Sequence, residues 1–403
     1  MSKNINLNNF IGQSYFDKDL YLKDKIKLNN IINDVLISLN SRKDVFHSLS
    51  KNFNFDFEYS TLSKFNRYKS VILIGMGGSV LGSEAIYSFC SEKIKKNFFF
   101  LDNLDQLKIE KIKKQVNLKS CLFIIISKSG NTLETLVNSN LFKDKINNKN
   151  TIIITEKKNN ILNTYAKKKK IFTINHKDYI GGRYSVLSEV GMLPAFFMGL
   201  EVKHFRKSLL DFFKTKKKKI LQDSVIKLSH IYKYKKINSI ILLSYDSEIN
   251  NFLYWSQQLI AESLGKKGKG LLPVVSSAPK DHHSLLQLYL DGPKDKLFYI
   301  FSLKSNKRIK INENIFGKNF SYIENKDFSK VKEAQKKALV RVLKNKNIPY
   351  QEFIINKKNE ETLGELFTYF IMETFLVGKL LNINPFDQPA VEQVKIITKK
   401  YLI

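Results

Sequence analysis

The sequence predicts an α/β fold, in which mostly parallel β-sheets are covered by helices on both faces. Its 403 residues are 43% hydrophobic and 26% charged, which is enough apolar side chain for the cores of at least two domains. Short, wholly apolar runs alternate along the chain with stretches long enough for helices. This alternation is typical of doubly wound parallel sheets, whose strands are buried on both faces.

The predicted strands fall into two series. The first comprises VILIG (71–75), FFFLDN (98–103), CLFIIIS (121–127), TIIIT (151–155) and IFTI (171–174). The second comprises SIILLSY (239–245), GLLPVVS (270–276), LFYIFSL (297–303) and YQEFIIN (350–356), with helices predicted at 249–264, 282–290 and 328–346. We therefore divide the chain into an N-terminal helical segment (1–45), a first domain (46–200), a second domain (201–380) and a C-terminal helix (381–403).

The formal net charge is +31, which raises the question of a nucleic-acid partner. Only six of the 68 basic residues are arginine, the side chain that most often contacts base edges in proteins that recognise DNA sequences. Lys, Asn, Ile and Phe share A/T-rich codons, so a biased genome accounts for the lysine excess better than a polyanion does. We therefore expect no nucleic-acid partner. We also expect no membrane partner, because the longest apolar stretch, 367–381, is interrupted by charges.

The two cysteines, Cys90 and Cys121, do not have the number or spacing of a zinc site or of a disulfide framework. A reducing, cytoplasmic location fits this cysteine usage. The first residues contain no continuous apolar segment of the kind that directs secretion.

Two turns follow predicted strands and open predicted helices. GMGGSVLG (75–82) contains Gly78 and Ser79, and SKSGNTLET (127–135) offers the hydroxyls of Ser127, Ser129 and Thr132. Backbone N–H groups at the start of a helix bind anions, and parallel strands direct such turns into one crevice. The two turns together predict a metal-free phosphate site, although Thr132 could instead serve only to cap its helix.

Three further segments carry groups suited to acid–base chemistry. Arg183 follows two glycines at the start of a helix, in a chain that contains few arginines. Glu262 lies on a helix of apolar texture, and a carboxyl in an apolar crevice is suited to proton abstraction from carbon. His282 and His283 lie together at a helix start, and Gln388, Glu392 and Lys395 fall on successive turns of a predicted helix.

Six blocks together resemble the phosphoglucose isomerase family. GMGGSVLGSEA, SKSGNTLET, GGRYSVLSEVGMLP, ESLGKKG, KDHHSLLQLYLDGP and NPFDQPAVEQVK occur in that family's order and span residues 75–395. The resemblance implies two sugar-isomerase-type (SIS) domains and the interconversion of glucose 6-phosphate and fructose 6-phosphate through ring opening and a cis-enediolate. It also implies a homodimer with shared active sites and chemistry that requires no metal and no redox cofactor.

The resemblance also implies a role for each matching residue. Ser79, Ser127, Ser129 and Thr132 would hold the phosphate, with Gly78 and Lys128 in the same loops. Glu262 would move the proton between C2 and C1, and Arg183 would stabilise the enediolate. His283, supplied by the partner subunit, would open the sugar ring with Lys395, and Gln388 would contact the substrate.

The chain departs from the family pattern at Ala390 and Val394, where small glycines are common, and at His282, where glutamine is common. Three alternatives remain open on the sequence alone. One is an isomerase that also accepts mannose 6-phosphate or another aldose phosphate. Another is a non-catalytic regulator that binds phosphosugars, which would need the phosphate loops but no base. The third is an additional role through the +31 surface, which salt-sensitive retention on DNA would support.

Overall fold

The protein, seen in a computed structural model, is described here for residues 4–39, 41, 43–213, 216–234, 237–304 and 309–403. Its first half contains β1 (Ile5–Phe10), α1 (Lys18–Ser38), α2 (Tyr59–Leu62), β2 (Ser70–Gly75), α3 (Leu81–Phe89), β3 (Asn97–Leu101), α4 (Gln106–Gln115), β4 (Cys121–Ile126), α5 (Leu133–Asn140), β5 (Thr151–Thr155), α6 (Ile161–Lys169), β6 (Phe172–Asn175) and α7 (Glu189–Phe197). Its second half contains α8 (Val202–Phe205), α9 (Lys216–Tyr234), β7 (Ser239–Ser244), α10 (Asn250–Leu264), β8 (Leu272–Ser277), α11 (Leu286–Asp291), β9 (Lys296–Leu303), β10 (Lys310–Ile311), β11 (Lys326–Asp327), α12 (Phe328–Asn345), β12 (Tyr350–Ile355), α13 (Glu360–Leu380) and α14 (Val391–Tyr401).

The first sheet consists of five parallel strands in the order β3-β2-β4-β5-β6. The strands correspond to the first predicted series, and each begins and ends within two residues of its prediction. Alternate residues of a strand face opposite sides of the sheet. Ile72 and Ile74 therefore join one core cluster while Val71 and Leu73 join another, which confirms that both faces are covered.

The second sheet has the order β1-β12-β9-β7-β8 and contains the second predicted series. Four of its strands are parallel, whereas β1 pairs antiparallel with β12, with Ile5 opposite Ile355. The N-terminal segment was predicted to be helical, and for residues 5–10 that prediction is wrong. The proposed division into domains at 45, 200 and 380 stays a prediction.

One continuous core joins one face of each sheet through the helices between them, and α3 packs directly on α10. Within this core, every residue of α13 except Glu361 and Lys379 is buried, which explains why its sequence is apolar on all sides. Smaller clusters cover the outer faces, with α4 and α6 on the first sheet and α11 and α12 on the second. Across the described ranges, no helix is both long and apolar enough to cross a lipid bilayer.

Two predicted helices begin later than expected, because each is preceded by a 3-10 turn. The helix predicted over 282–290 begins at Leu286, after a turn at Lys280–His282. The helix predicted to start at Arg183 begins at Glu189, after a turn at Gly182–Leu187. These two turns carry His282 and Arg183, so both side chains lie on irregular backbone at the edge of a helix.

Candidate active site

The glycine-rich turn after β2 brings the end of that strand close to a second segment of the chain. Gly77 has φ +52°, a left-handed conformation that glycine adopts readily. A Cβ atom on Gly78 would lie 2.3 Å from the carbonyl of Gly182 and 2.6 Å from the nitrogen of Arg183. The close approach therefore requires glycine at position 78. Ser79, which is 9% exposed, ends the turn.

The turn after β4 gathers hydroxyl groups at the start of α5. The Ser127 and Thr132 hydroxyls are 2.8 Å apart, and Ser127 Oγ also accepts a hydrogen bond from the Gly130 nitrogen (3.1 Å). Ser129 Oγ accepts one from the Asn131 nitrogen (3.2 Å). Thr132 occupies the N-cap position but its side chain makes no capping hydrogen bond. The alternative that Thr132 serves only as a cap is therefore wrong, because its hydroxyl turns to Ser127.

The two turns leave the first sheet side by side. Strands β2 and β4 are neighbours, with Gly75 opposite Ile126, and neighbouring strands lie about 4.8 Å apart. β3 lies on the other side of β2, so the strand order reverses between β2 and β4, and such a reversal opens a crevice at the carboxyl edge of a sheet. The two turns thus lie side by side, as predicted, and the crevice and the anion they would bind stay predictions. We call these two turns, 75–82 and 127–132, the cradle.

Lys128, in the same loop, is held by protein oxygens. Its Nζ donates to the carbonyl oxygen of Asp178 (2.7 Å) and lies 3.6 Å from the Glu156 carboxylate. Burial lowers the pKa of the Lys128 ammonium, and the negative charge of Glu156 opposes that change. The ammonium group is therefore already partnered by the loops that follow β5 and β6.

Arg183 is buried, with 4% of its surface exposed, and it connects three segments of the chain. Its Nε donates to Ser263 Oγ (2.9 Å) and its Nη1 to Glu262 Oε2 (3.2 Å). The remaining hydrogen bonds go to the segment before α14: Nη1 to Gln388 Oε1 (2.8 Å), and Nη2 to the carbonyl oxygens of Pro385 (2.5 Å) and Asp387 (3.1 Å). The planar guanidinium group uses its donors in directions that a lysine could not match.

Glu262 faces polar partners. Its Oε2 accepts from Arg183, and its Oε1 accepts from Gln258 Nε2 (3.0 Å), one turn earlier on α10. About 30% of its side chain is exposed. The predicted apolar crevice around Glu262 is wrong, because the apolar residues of α10, such as Phe252 and Trp255, lie on its buried face and Glu262 does not.

Gln388 lies in the segment that precedes α14. It was predicted to share a helix with Glu392 and Lys395, but the helix begins only at Val391, so this prediction is wrong for Gln388. The turn from Pro385 to Gln388 is held by Arg183 and by Lys266, whose Nζ donates to the Asp387 carbonyl (2.5 Å). The hydrogen bond to Arg183 places the Gln388 amide beside Glu262.

Within one chain, the strand that leads to His283 ends beside the start of α10, whereas Glu262 lies near the end of that helix. Asn250, at the start of α10, donates to Ser277 Oγ (2.9 Å) at the end of β8, and the turn that carries His283 follows β8 directly. Glu262 is twelve residues further along α10, which at 1.5 Å per residue corresponds to about 18 Å. His283 is exposed, whereas its neighbour His282 contacts Tyr245 Oη (2.9 Å). Burial, and then the charge of His283, lowers the pKa of His282.

Lys395 lies on α14, where no residue is buried. Its Nζ donates to Glu392 Oε1 (2.6 Å), and 63% of its side chain is exposed. Val391, Val394 and Ile397 lie near it on this helix and are 38%, 67% and 49% exposed. The structure thus groups the cradle, Arg183, Glu262 and Gln388, and it leaves Lys395 and His283 outside that group.

Sequence reasoning missed Gln258, Tyr184 and Ser263. Gln258 holds Glu262 and packs against Gly77, where an added Cβ would lie 2.6 Å from its amide nitrogen. Its Oε1 is buried and has no hydrogen-bond partner among the described residues. Tyr184 Oη bonds both Ser263 Oγ and the Pro385 carbonyl (each 2.9 Å) and so supports Arg183. The spacing of Gln258 and Glu262, one turn apart on a helix, was the available signal.

Among the residues described, no three His, Cys, Asp or Glu side chains lie close enough together to hold a metal ion. Cys90 and Cys121 are free thiols, and both are buried.

Comparison with known proteins gives consistent results. Residues 33–402 match the profile of the family described as phosphoglucose isomerase. A glucose-6-phosphate isomerase of Methanocaldococcus jannaschii is 33% identical over 387 residues, covering 93% of each chain. A glucose-6-phosphate isomerase of Campylobacter jejuni is 33% identical over 354 residues, covering 83% of this chain and 85% of the relative.

Two solved structures share the fold. A hypothetical protein of Thermus thermophilus superposes with a TM-score of 0.82 at 22% identity, covering 98% of this chain and all of the other. A glucose-6-phosphate isomerase of Chlamydia trachomatis superposes with a TM-score of 0.78 at 16% identity, covering 100% of this chain and 89% of the other. Both confirm the predicted α/β architecture of the sugar-isomerase type.

Proposed function

Because the chain belongs to the phosphoglucose isomerase family, we propose that it interconverts glucose 6-phosphate and fructose 6-phosphate, as an isomerase of glycolysis and gluconeogenesis. The observation that carries this proposal is the position of Glu262. Its carboxylate lies between the guanidinium group of Arg183 and the amide of Gln258, and both of these residues lie against the cradle. A base, a fixed cation and a phosphate site thus adjoin one another.

We assign the phosphate to the cradle. The hydroxyls of Ser79, Ser127, Ser129 and Thr132 and the backbone N–H groups of the two turns are the donors that a phosphate monoester needs. The eight-residue helix α5 begins directly after Thr132 and adds the positive end of its dipole. Gly78 is needed for the close approach of the backbone, and Lys128 adds positive charge in the same loop.

Glu262 acts as the base on the open-chain sugar. It removes the proton from C2 of the aldose; the C–H electron pair forms the C1=C2 double bond, and the carbonyl electrons move to O1, which yields the enediolate. The proton of the O2 hydroxyl passes to O1, and return of the first proton to C1 then forms the ketose, with O2 as the new carbonyl oxygen. One carboxylate can carry the same proton in both directions. Arg183 stabilises the negative charge that develops on the oxygens, and Gln258 and Gln388 orient the hydroxyl groups.

We propose that ring opening needs a second copy of the chain. The end of α10 that contacts β8, the strand leading to His283, lies about 18 Å along the helix from Glu262, so we expect the two side chains of one chain not to reach the same sugar. A homodimer in which each copy supplies His283 to the other's Glu262 removes this difficulty. The exposed apolar residues Val391, Val394 and Ile397 of α14 offer area for such a contact, and burial of α14 would also bring Lys395 toward a site.

The shared site is tested by mixing two inactive variants. Activity is followed as NADPH from fructose 6-phosphate with excess glucose-6-phosphate dehydrogenase and NADP. We expect Glu262→Gln and His283→Ala each to be nearly inactive on the cyclic substrate. In a mixed dimer, one site combines both defects and the other has neither, so random reassembly of equal amounts restores about a quarter of wild-type activity.

The matched control mixes Glu262→Gln with Arg183→Lys. These two residues belong to the same half of the site, so both sites of a mixed dimer stay defective and no activity returns. An active Glu262→Gln protein would contradict the role of the base. Failure of the first mixture to recover, with each parent folded, would show that His283 is not shared.

The location is proposed as the cytoplasm. The two cysteines are buried free thiols, which fits a reducing compartment. No nucleic-acid partner is proposed, because arginine is scarce in this basic chain.

A further inference from the structure

The second sheet has its own reversal of strand order. β8 follows β7 through α10 and lies on one side of it, whereas β9, the next strand, lies on the other side. In open α/β sheets, ligands bind outside the carboxyl ends of the strands at such a reversal. The corresponding position in the first sheet is occupied by the cradle. The carboxyl ends of β7 and β9 therefore mark a position where a second ligand site is expected.

A cleft of about 750 Å³ lies at this position. It extends from Tyr245 and the end of β9 to the outer face of α12, and Leu303, Val340 and Tyr350 form its apolar wall. A volume of roughly 300–1,000 Å³ is typical of sites for small molecules. The lining residues that the structure describes are all different from those of the candidate active site.

The cleft is lined by more positive than negative side chains. Among the described residues that line it, the two carboxylates are those of Glu333 and Glu352. The six cations of this described lining are Lys304, Lys332, Lys336, Lys337, Arg341 and Lys344. Five of the six are on α12, at spacings that place them along one side of the helix. The cleft therefore carries a positive potential, which its concave shape concentrates.

Three of these cations already have carboxylate partners. The buried Lys336 is 2.7 Å from Glu352 and donates to Ser302 Oγ (3.1 Å). Lys337 is 2.8 Å from Glu333, and Lys332 pairs with Asp246. The hydrogen bond from Lys337 holds the pKa of the Glu333 carboxyl below its usual range, and the charges of Lys336 and Lys304 add to this effect.

The other three cations are Lys304, Arg341 and Lys344. None of them has a carboxylate within ion-pair distance in the part of the chain that the structure describes. Lys344 instead lies over the ring of Phe10, 5.9 Å from its centre. Positive charge in a cleft is thus left for a ligand to neutralise.

We propose that this cleft is a second ligand site, which binds a small metabolite carrying two or more anionic groups, phosphate or carboxylate. Three cations without carboxylate partners match more than one negative charge, and Arg341 can bind a phosphate or carboxylate through two parallel hydrogen bonds. The concave shape and limited volume of the cleft favour a metabolite over a nucleic acid, whose contacts extend along a surface. The proposal does not depend on the isomerase activity.

The test is calorimetric titration of the whole protein with inorganic pyrophosphate and, separately, with citrate, at low ionic strength. Fructose 6-phosphate is present in excess, so that the cradle is occupied. We expect wild-type protein to bind at least one of the two probes. Lys304→Glu together with Arg341→Glu should weaken that binding at least about tenfold, because two attractions become repulsions. Isomerase activity without the probe should be unchanged in this variant.

The matched control is Lys330→Glu together with Lys346→Glu, which makes the same change in charge at exposed positions at the two ends of α12. We expect it to change the affinity by less than about twofold. Equal losses in both double variants would assign the binding to overall surface charge and overturn the proposal. Absence of binding of both probes to wild-type protein, or displacement of the probe by a DNA duplex, would also overturn it.

Discussion

Replacing Arg183 with lysine keeps the positive charge and removes the shape of the guanidinium group. Arg183 makes five hydrogen bonds, to Ser263, Glu262, Gln388 and the carbonyl oxygens of Pro385 and Asp387. An ammonium group has three donors at one point, on a side chain that ends nearer to the backbone. We expect it to keep about two of these partners, one of them Glu262.

The free-energy cost of this substitution depends on whether each former partner of Arg183 keeps another hydrogen bond. The Pro385 carbonyl still accepts from Tyr184 Oη, the Asp387 carbonyl still accepts from Lys266, and Ser263 still bonds Tyr184. No buried oxygen is therefore left without a donor, and each lost bond costs its net value of about 1.5 kcal/mol. Three lost bonds correspond to about 4.5 kcal/mol, which is enough to release the segment 385–388 from the site.

Two measurements check this reasoning. Hydrogen exchange of residues 384–390 should become faster in Arg183→Lys, and kcat/KM should fall by about 10² to 10³, as for the loss of one donor to a developing oxyanion. Tyr184→Phe is the control, because it removes two neutral hydrogen bonds and leaves Arg183 in place; we expect a loss of stability of about 2 kcal/mol and a far smaller loss of activity. If Arg183→Lys exchanges at the wild-type rate and keeps kcat/KM within threefold, the geometry of Arg183 is not what positions this segment.

Two further predictions concern the first domain. Gly78→Ala should lower the melting temperature and reduce kcat/KM at least about a hundredfold, because its Cβ would lie 2.3 Å from the Gly182 carbonyl. The control is Gly182→Ala, whose Cβ would meet nothing within 4 Å and which should fold normally. Equal melting temperatures of the two variants would contradict the close contact. Burial, and then the charge of Asp102, raises the pKa of Glu84 from 4.5 to about 7. Between these pH values the carboxyl is ionised in the unfolded chain and protonated in the folded one, so folding takes up a proton at a free-energy cost that grows as the pH rises from 4.5 to 7. Glu84→Gln should therefore stabilise the protein by about 3 kcal/mol at pH 8 and by less than about 1 kcal/mol at pH 5, and a gain that is the same at both pH values in denaturant titrations would rule out a raised pKa.

The strands could be predicted because both sheets are covered on both faces. A strand buried on two sides is a continuous apolar run, as in CLFIIIS, and such a run is visible without its neighbours. The cradle was predictable for the same reason, since its turns follow two such runs. Strand β1, INLNNF, has no such run, because it lies at the edge of its sheet and only some of its side chains touch the core. Its partner is some 340 residues away, beyond any local pattern.

The surroundings of the candidate site were harder to predict than its members. The apolar texture around Glu262 suggested an apolar crevice. The carboxylate instead lies on the face of α10 that carries Gln258 and that Arg183 contacts. Likewise, Gln388 was assigned to a helix from spacing alone. In the folded chain, a hydrogen bond from Arg183 holds Gln388 in the turn before that helix, and this contact is not visible in the sequence. Sequence spacing identifies which residues can meet along one element and not which meet across several.

The pairing of β1 with β12 determines the order in which the two sheets can form during synthesis. Phe10 pairs with Tyr350, 340 residues later, so at roughly 5–20 residues per second the ribosome makes the first strand about 17–70 s before its partner. During that interval the first sheet, which is complete at Asn175, can form, while residues 5–10 must stay unpaired. Three asparagines in β1 make it a poor template for association with other chains. When β12 has been made, β1 pairs with it and covers its edge. The second sheet can therefore close only after the chain has been translated through β12.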